Sequence, residues 1–225
     1  MNAFERRDLL LNDEEIDKIN KSRIAIFGLG GVGGYTLEAL ARMGISDFVL
    51  VDGDRFEDSN LNRQILSSIN NIGRLKTDVA EEKILSINPN SKIVKYPLFL
   101  DDSTKDLIDY NVTYIVDCID DANAKVILAE IAKSRDIPII AMMGAGNRIH
   151  ADFIVSDINQ TSQDPLSKKM RRLYKDRGID KVKVVYTKDA ALRTNSTTVG
   201  SISYVVGYAG LKVAETVISD IINKA

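Results

Sequence analysis

A glycine-rich run near the start of the chain has the spacing of a phosphate-binding turn. It reads Gly28-Leu29-Gly30-Gly31-Val32-Gly33, follows the apolar run RIAIF (23–27) and opens an amphipathic pattern. Glycines permit a tight turn and let backbone N–H groups approach a phosphate, whose charge a helix N-terminus favours. Asp52 ends the next apolar run, where a carboxylate can bind ribose hydroxyls. The alternative is a turn that only packs a helix on a strand. The candidate nucleotide contacts here are Gly28, Gly30, Gly31, Gly33 and Asp52.

Polar and basic residues after Asp52 argue against NAD, which the glycine-rich run alone would favour together with FAD. The chain continues Ser59-Asn60-Leu61-Asn62-Arg63-Gln64, and Lys76 follows in the run GRLK. Arg and Lys neutralise charge that develops on the phosphates of a triphosphate, and amides can fix the phosphate geometry. Taken singly, each residue could belong to an ordinary polar loop, but in register with Asp52 the set indicates ATP. The candidates are Asn60, Asn62, Arg63, Gln64 and Lys76.

Two carboxylates follow a later strand candidate, TYIVD (113–117). The sequence there is Asp117-Cys118-Ile119-Asp120-Asp121. The carboxyl ends of strands in an open α/β sheet face the ligand crevice, and Mg²⁺ prefers one or two carboxylates together with phosphate oxygens. We predict Asp120 as the Mg²⁺ ligand and Asp121 as a further nucleotide contact. Alternatively, one of these two carboxylates caps the next helix, and both roles can hold together.

Strand and helix patterns alternate along the first two thirds of the chain. Strand candidates, nearly all apolar, are RIAIF (23–27), DFVLVD (47–52), KIVKYP, TYIVD (113–117) and IPIIAMM (137–143). Helix candidates run from Gly33 to about Met43 and over about 76–87, 121–135 and 203–222. Apolar strands separated by helices indicate a parallel sheet covered on both faces. DFIVSD and KVKVVYT suggest further, antiparallel strands. The predicted fold class is α/β, a Rossmann-like, mostly parallel sheet extended by antiparallel strands in the second half.

Composition and organisation are those of one globular unit. The chain has 225 residues, 44% hydrophobic and 28% charged, with a net charge of −2. No linker or repeat divides it, so we predict a single domain over 1–225, with a nucleotide-binding core at about 20–145 and a substrate-specific extension at about 146–225. One cysteine, Cys118, excludes a disulfide framework and a four-cysteine zinc site within one chain. The N-terminal run does not have the pattern of a signal peptide, and no apolar stretch has membrane-spanning length, so we expect a cytoplasmic protein without a membrane partner.

A basic segment lies in the second half, at 168–177. It reads Lys-Lys-Met-Arg-Arg-Leu-Tyr-Lys-Asp-Arg and could form a cationic face for an RNA backbone. Such charge runs are usually the solvated face of a helix. Tyr174 within it could stack on a base or pack internally.

The ordered motifs over residues 4–145 resemble the ubiquitin-activating-type adenylation superfamily, which includes the ThiF, MoeB and HesA proteins. The motifs are RRDLLL, GLGGVG, VDGDRFEDSNLNRQ, GRLK and DCIDD. The resemblance implies adenylation of a carboxylate by ATP with release of pyrophosphate. It assigns ATP binding to Asp52 and Lys76, places the other polar residues around the phosphates and Asp120 at Mg²⁺, and makes Arg63, Lys76 and Asp120 the catalytic set.

The same resemblance implies a homodimer. In that superfamily an N-terminal arginine enters the neighbour's site and contributes to nucleotide binding. Arg6 best matches this position, and Arg7 is the alternative.

The second half is similar to one branch of the superfamily, the TcdA or CsdL-like tRNA threonylcarbamoyladenosine dehydratases. The matching runs are GAGNRIHADFIVSDINQTSQDPLSKKMRRLYKDRGI, KVKVVYTKD and GSISYVVGYAG. This implies a tRNA substrate whose threonylcarbamoyl carboxylate is adenylated, after which an internal nitrogen closes a ring and AMP leaves. Because the substrate supplies the nucleophile, no enzyme cysteine is needed. A sulfur-relay partner from a cysteine desulfurase system is left open.

Three other functions compete with this one. The first is ThiF- or MoeB-like adenylation of the C-terminal carboxylate of a small sulfur-carrier protein. The chain lacks the two CxxC pairs common in such activators, and Cys118 follows an apolar strand. The second is a NAD-dependent oxidoreductase, and the third is a non-catalytic nucleotide-binding adaptor. The complete set Asn60, Arg63, Lys76 and Asp120 favours catalysis over the third.

Overall fold

Seven strands form one sheet in the computed structural model, which describes residues 3–223. The sheet order is β3-β2-β1-β4-β5-β7-β6. All neighbouring strands are parallel except β6 and β7, which are antiparallel. The mostly parallel sheet is therefore confirmed, but β7 is antiparallel only to β6 and joins β5 in parallel. The strands are β1 Arg23–Phe27, β2 Asp47–Val51, β3 Lys92–Tyr96, β4 Tyr114–Asp117, β5 Ile139–Met142, β6 Phe153–Asp157 and β7 Lys183–Thr187.

The strand order reverses between β1 and β4. From β1 the chain proceeds outward to β2 and β3, and it then returns to β4 on the other side of β1. The connections that follow the strands on either side of such a reversal go to opposite faces of the sheet, and a crevice where ligands bind is left between them. The glycine-rich run follows β1, Asp52 follows β2, and Asp120 lies just beyond β4. The topology thus brings three separate sequence motifs to one edge of the sheet.

Helices cover both faces of the sheet, as predicted. Three of the four predicted helices begin and end within one residue of the expected positions, and the fourth begins at Gly31, because the glycine run itself forms its first turn. The short N-terminal helices were not predicted, and the basic segment 168–177, for which a solvated helix face was one interpretation, lies in a helix. The helices are α1 Glu5–Asp8, α2 Asp13–Lys21, α3 Gly31–Arg42, α4 Lys76–Ile87, α5 Ala122–Ser134, α6 Pro165–Asp176 and α7 Ser203–Ile222.

The core divides into two layers. Side chains of α2, α3, α4 and α7 pack on one face of the sheet, and those of α5 and α6 pack on the other together with the segment 98–110. Apolar burial of this kind contributes about 25 cal/mol per Å² and is the main source of fold stability. Within the part of the chain described by the structure, no helix is long and apolar enough to cross a membrane.

Candidate nucleotide site

A cavity of about 610 Å³ opens at the carboxyl edge of the sheet, around the β1–β4 reversal. Its volume is in the range of small-molecule sites, roughly 300–1,000 Å³. Most of the residues that the sequence singled out line it, although they come from four different segments of the chain. These are Gly28, Gly30, Gly31, Asp52, Asn60, Arg63, Gln64, Lys76 and Asp120.

Two glycines fix the path of the loop. Gly28 has φ +85°, and a Cβ there would lie 2.6 Å from the carbonyl oxygen of Cys118. A Cβ on Gly33 would lie 1.8 Å from the carbonyl oxygen of Gly28. Both positions therefore exclude side chains, for conformational and steric reasons. Gly33 does not line the cavity, and its lack of a side chain lets α3 pack closely on the loop. Its role as a nucleotide contact stays a prediction.

The Asp52 carboxylate holds the loop against the end of β2. It accepts hydrogen bonds from the backbone N–H of Leu29 at 2.6 Å and from that of Asp54 at 2.8 Å. Burial raises the pKa of Asp52, and the nearby Lys76 ammonium opposes that rise. Each oxygen has a second lone pair, and because Asp52 lines the cavity the carboxylate can also accept from a ribose hydroxyl.

The two basic candidates have different surroundings. The Lys76 ammonium lies 2.7 Å from the Asp54 carboxylate, and its side chain is only 6% exposed. Arg63 is half-buried and donates to the backbone oxygen of Ser59 at 2.6 Å and to Asn62 at 3.0 Å. Lys76 is therefore held by an ion pair. Arg63 is held by neutral groups, so no carboxylate among residues 3–223 offsets its charge when a ligand binds.

The amide side chains of Asn60 and Gln64 differ in whether their polar atoms have partners within the protein. The buried Asn60 amide is used internally: it accepts from the Glu57 N–H at 3.2 Å and donates to Ser59 at 3.3 Å. Gln64 is also buried, yet its Oε1 has no hydrogen-bond partner among residues 3–223. An unpaired buried amide is costly, and it indicates a ligand that completes its hydrogen bonding. Because amide orientation is an assignment, rotation can turn the NH₂ group toward a phosphate.

The acidic pair after β4 is divided between two roles. Asp120 is exposed on the cavity wall, and its carboxylate accepts no hydrogen bond from the rest of residues 3–223. Asp121 caps α5 by accepting from the N–H groups of Asn123 at 2.9 Å and Ala124 at 2.8 Å. The helix cap foreseen as an alternative is therefore Asp121, which does not line the cavity. Its role as a nucleotide contact stays a prediction.

Asn62 also lies outside the cavity. Its amide donates to the backbone oxygen of Ser201 at 2.9 Å and so connects the loop that carries Asn60 and Arg63 to the segment before α7. Its role as a nucleotide contact likewise stays a prediction, and the position of the side chain supports an indirect role.

The donor set suits Mg²⁺ only in the presence of phosphate. Among the described residues, no group of three or more His, Cys, Asp or Glu side chains could hold a metal. Asp120 offers one carboxylate on the cavity wall. Mg²⁺ commonly binds through one or two carboxylates plus substrate phosphates and water, so this site fits the ion as a companion of ATP.

Several lining residues were not found from the sequence. Asp54, Arg55 and Glu57 line the cavity on the chain segment between Asp52 and Asn60, and Phe99 forms part of an apolar wall. The Phe99 ring is 63% exposed and packs on Gly53, where a Cβ would lie 2.7 Å from Cδ2 of the ring. The position just beyond the carboxyl end of β3 is the signal that could have pointed to this wall. The second half adds further lining residues that the sequence analysis did not single out as site residues, namely Gly144, Ala145, Gly146, Leu166, Val199 and Val206.

Cys118 lines the floor of the cavity but is poorly suited to covalent chemistry. Burial raises the pKa of its thiol to about 12, and the Asp117 carboxylate contributes to the rise. Since the thiolate is the nucleophilic form, the thiol is unreactive near neutral pH.

The N-terminal arginines lie far from this cavity. Arg7 donates to the backbone oxygen of Met43 at 2.7 Å, which attaches α1 to the carboxyl end of α3. Arg6 is exposed and has no hydrogen-bond or ion-pair partner among residues 3–223. α3 begins at the cavity and its 12 residues extend about 18 Å. Arg6 is thus at the other end of the molecule from its own cavity.

The fold and the cavity define a nucleotide-binding protein of the Rossmann-like α/β class. Comparison with known families then specifies the class further: the model of the ThiF family matches residues 5–224, and the chain belongs to that family.

Individual relatives agree with this assignment. The tRNA threonylcarbamoyladenosine dehydratase of Bacillus subtilis (strain 168) is 32% identical over 195 residues, covering 85% of this chain and 77% of the relative. The enzyme of that name from Escherichia coli (strain K12) is 34% identical over 175 residues, covering 76% of this chain and 65% of the relative. The solved structure of E. coli tRNA N6-threonylcarbamoyladenosine dehydratase, TcdA, in complex with ATP has a TM-score of 0.92 at 28% identity, covering 99% of this chain and 94% of that chain.

Proposed function

We propose that the protein catalyses ATP-dependent adenylation and dehydrative cyclisation of threonylcarbamoyladenosine in tRNA, with release of pyrophosphate and AMP. The observation that carries this proposal is one cavity that combines a glycine-rich loop, the Arg63 guanidinium and the Asp120 carboxylate without ion-pair partners among residues 3–223, and an unreactive cysteine. The relatives carry the name of this enzyme, and a solved relative is described in complex with ATP. The chain acts as one domain, with its core at about 20–145 and a substrate-specific extension at about 146–225.

In the first step a substrate carboxylate oxygen attacks the α-phosphorus of ATP. A bond forms between that oxygen and phosphorus, the bond from phosphorus to the bridging oxygen breaks, and pyrophosphate leaves. Arg63 and Lys76 line the phosphate side of the cavity and stabilise the charge that moves onto the leaving group. As phosphate charge accumulates, Asp54 competes with it for the Lys76 ammonium.

In the second step a nitrogen of the threonylcarbamoyl group attacks the activated carbonyl carbon. A carbon–nitrogen bond closes the ring, the acyl–oxygen bond to phosphate breaks, AMP leaves, and the nitrogen loses its proton. The net change in the tRNA is loss of one water. No thiol takes part, in keeping with the raised pKa of Cys118.

Asp120 is the residue that would hold Mg²⁺ beside the phosphates. The ion, when bound, neutralises charge on the phosphate oxygens. Asp52 orients the nucleotide through ribose and keeps the glycine-rich loop in place through Leu29. Gln64 completes its hydrogen bonding on the phosphates.

The basic helix α6 is suited to bind the tRNA backbone. Its outward cations Lys168, Lys169, Arg172 and Lys175 are exposed and have no ion-pair partner among residues 3–223. Leu166, in the first turn of the same helix, lines the cavity, so the cations extend away from the rim of the site. A tRNA substrate also implies a cytoplasmic site of action.

A homodimer with Arg6 in the partner's site is the second part of the proposal. The Arg6 guanidinium, unpaired within residues 3–223 and remote from its own cavity, supports action on a second copy, whereas Arg7 is engaged with Met43. Exposed apolar side chains offer a surface for that copy. They are Ile154 and Val155 on the edge strand β6, and Tyr204, Tyr208 and Leu211 on α7.

Mixing two inactive variants tests this arrangement. Arg6→Ala and Lys76→Ala should each be inactive, but a mixture that exchanges subunits forms heterodimers with one intact site. Roughly a quarter of the wild-type activity should return at equal amounts. Absence of any recovery, with subunit exchange demonstrated by sedimentation of labelled chains, would place Arg6 outside the site. A sulfur-relay partner stays a prediction from the family resemblance.

Mass analysis of nucleosides tests the reaction itself. The protein is incubated with ATP, Mg²⁺ and tRNA that carries threonylcarbamoyladenosine, and the digested nucleosides should show a new species lighter by one water. Omission of ATP is the first control and Lys76→Ala the second. If pyrophosphate exchange instead required a small protein ending in Gly-Gly, the sulfur-carrier alternative would be correct.

A further inference from the structure

The segment between β7 and α7, residues 188–200, forms an exposed arch beside the cavity. β7 runs parallel to β5, so its carboxyl end lies at the same edge of the sheet as the cavity. Every residue from 188 to 200 is exposed, and the segment contains neither helix nor strand. One of its side chains, Val199, nevertheless lines the cavity. We refer to residues 188–200 as the arch.

Asn147 holds the arch at two places. Its N–H donates to the backbone oxygen of Gly200 at 2.7 Å, and its Oδ1 accepts from the N–H of Gly200 at 2.6 Å. Its backbone oxygen accepts from the N–H of Leu192 at 2.6 Å. Asn147 adopts φ +55°, a left-handed conformation that Asn tolerates better than most residues. The arch is therefore anchored at a fixed position on the cavity rim, although it makes little contact with the core.

The neighbouring Arg148 connects the arch to α6. Its guanidinium, on a side chain only 2% exposed, donates to the backbone oxygens of Asp189 at 3.1 Å and Gly146 at 2.9 Å. It also lies 3.3 Å from the Asp164 carboxylate, which caps α6 by accepting from the Ser167 N–H at 2.7 Å. One buried residue thus links the start of the arch, the cavity wall and the N-terminus of the basic helix.

The arch and α6 reach the cavity from elements that pack on opposite faces of the sheet. α6 packs with α5 on one face of the sheet, while the arch leads into α7, which packs with α3 on the other face. Both reach the cavity, α6 through Leu166 and the arch through Val199. A polymer whose reactive group enters the cavity would therefore extend past one element on each side.

The side chains of the arch are of the types that bind an RNA chain. Lys188 and Arg193 are exposed, and neither has a hydrogen-bond or ion-pair partner anywhere in residues 3–223. Between Arg193 and Val199 lies an unbroken polar run, Thr194-Asn195-Ser196-Thr197-Thr198. Cations and hydroxyl or amide groups are the side chains that contact phosphates and 2′-hydroxyls.

We propose that the arch is a second RNA-contacting element, which together with α6 holds the tRNA on both sides of the nucleotide that enters the cavity. This inference rests on the proposed function, since it takes the substrate to be tRNA. Asn147 and Arg148 are positioning residues that keep the two elements at a fixed separation. Sequence-specific or modified positions in single-stranded loops are read with flanking nucleotides splayed out, and contacts on both sides provide for that.

The salt dependence of tRNA binding tests the inference. Each lost phosphate contact lowers the slope of log affinity against log salt by about 0.7 for a single strand. Lys188→Gln/Arg193→Gln should therefore lower the slope by about 1.4, which corresponds to roughly a sevenfold smaller loss of affinity between 50 and 200 mM salt. Lys168→Gln/Lys169→Gln on α6 should have a similar effect, and ATP binding should be unchanged in both variants.

A matched pair controls for net charge. Lys92 and Lys181 are also exposed and unpaired within residues 3–223, but they lie at the amino ends of β3 and β7, away from the cavity. Lys92→Gln/Lys181→Gln should keep the wild-type slope, and Arg193→Lys should keep it as well. A measurement without substitution is hydrogen exchange, which tRNA should slow in peptides covering 188–200.

The outcomes separate this inference from the proposed function. Product formation by the wild type, with an unchanged slope in the arch variant and no protection of 188–200, would overturn the inference alone. Equal slope losses in the arch variant and in the matched control would also overturn it, because general charge would then explain the effect. No product from the wild type, and no tRNA binding, would overturn the proposed function and the inference together.

Discussion

The buried ion pair between Asp117 and Lys125 allows one prediction with a magnitude. The Lys125 ammonium lies 3.0 Å from the Asp117 carboxylate, and both side chains are 0% exposed. The ammonium also donates to the backbone oxygen of Met142 at 2.8 Å, and Asp117 accepts from the Ile119 N–H at 3.1 Å. The pair therefore joins α5 to the ends of β4 and β5, and Asp117 directly precedes the segment that carries Asp120.

Replacement of Lys125 by Met removes the charge and keeps most of the apolar stem. The Asp117 carboxylate is then buried without its cation, which costs about 3–5 kcal/mol of unfolding free energy. For a chain of this length, 1 kcal/mol corresponds to about 2–4 °C in the thermal midpoint, so the midpoint should fall by roughly 6–20 °C. In Asp117→Asn/Lys125→Met both charges are absent, and most of this loss should be recovered, since a buried pair as a whole contributes little net stability.

The loss should depend on pH in a defined direction. Burial raises the pKa of Asp117, and the Lys125 ammonium opposes the rise. Without the lysine, the folded-state pKa lies further above the unfolded value of about 3.9. As pH increases, the unfolded chain then releases its proton before the folded one does, so folding is progressively disfavoured above that value. The deficit of Lys125→Met relative to wild type should be smallest near pH 4 and should grow toward pH 8.

Urea denaturation at pH 5 and pH 8 measures these effects. It compares the wild type, the single variants Lys125→Met and Asp117→Asn, and the double variant. The cycle isolates the coupling between the two side chains, provided that the denaturant slope is similar in all four proteins. A loss below about 1 kcal/mol in Lys125→Met, or a loss of the same size at both pH values, would refute the reasoning, because a buried carboxylate without its cation cannot be that inexpensive.

Three further predictions concern the cavity. Arg63→Ala should slow AMP formation by roughly two to three orders of magnitude at an unchanged thermal midpoint, because one preorganised charge contact is lost; full activity in single-turnover assays would remove Arg63 from the site. Asp120→Asn should shift the Mg²⁺ titration to higher concentration and lower the activity, since an amide is a poorer ligand for a hard cation; an unchanged titration would exclude Asp120 as the ligand. Cys118→Ala should keep most of the activity, and the wild-type thiol should resist alkylation at pH 8, as expected for a pKa of about 12; complete inactivation with an intact circular-dichroism spectrum would favour thiol chemistry.

Local patterns predicted those parts of the fold that local chemistry determines. Four of the five predicted parallel strands, β1, β2, β4 and β5, are short apolar runs, and the fifth, β3, is an edge strand. The glycine spacing follows from two steric contacts at Gly28 and Gly33. For α6, a solvated helix face was one of the two interpretations of residues 168–177, but the start of the helix was not predicted. Asp164 and Pro165 form a cap and first turn of a kind that signals a helix start. The pairing of β7 with β5 could not be predicted from the sequence, because the choice of a neighbouring strand depends on long-range packing.

Individual side chains of α6 show where residue type stops being informative. Tyr174 was left open between stacking on a base and internal packing, and the structure buries it in the core of α5 and α6. Arg171 is equivalent in sequence to Arg172, yet Arg171 donates to the backbone oxygen of Thr161 at 2.6 Å while Arg172 is exposed. A helix turns by 100° per residue, so adjacent arginines face different surroundings. A variant meant to test RNA binding therefore has to omit Arg171, whose removal would also loosen the start of α6.

Lys76 and Arg63 illustrate the same limit within the cavity. From the sequence alone, both are expected to face phosphate in a polar crevice, where replacement by Ala would affect chemistry more than folding. The structure places the Lys76 side chain at 6% exposure and pairs it with Asp54, which is half exposed. Lys76→Ala therefore removes buried methylene packing and leaves a carboxylate facing the incoming phosphates, so it perturbs stability, binding and catalysis together. Arg63, held by the neutral groups of Ser59 and Asn62, leaves no unpaired charge when it is removed. For this reason Arg63, and not the more deeply buried lysine, is the position at which a loss of activity can be assigned to transition-state charge.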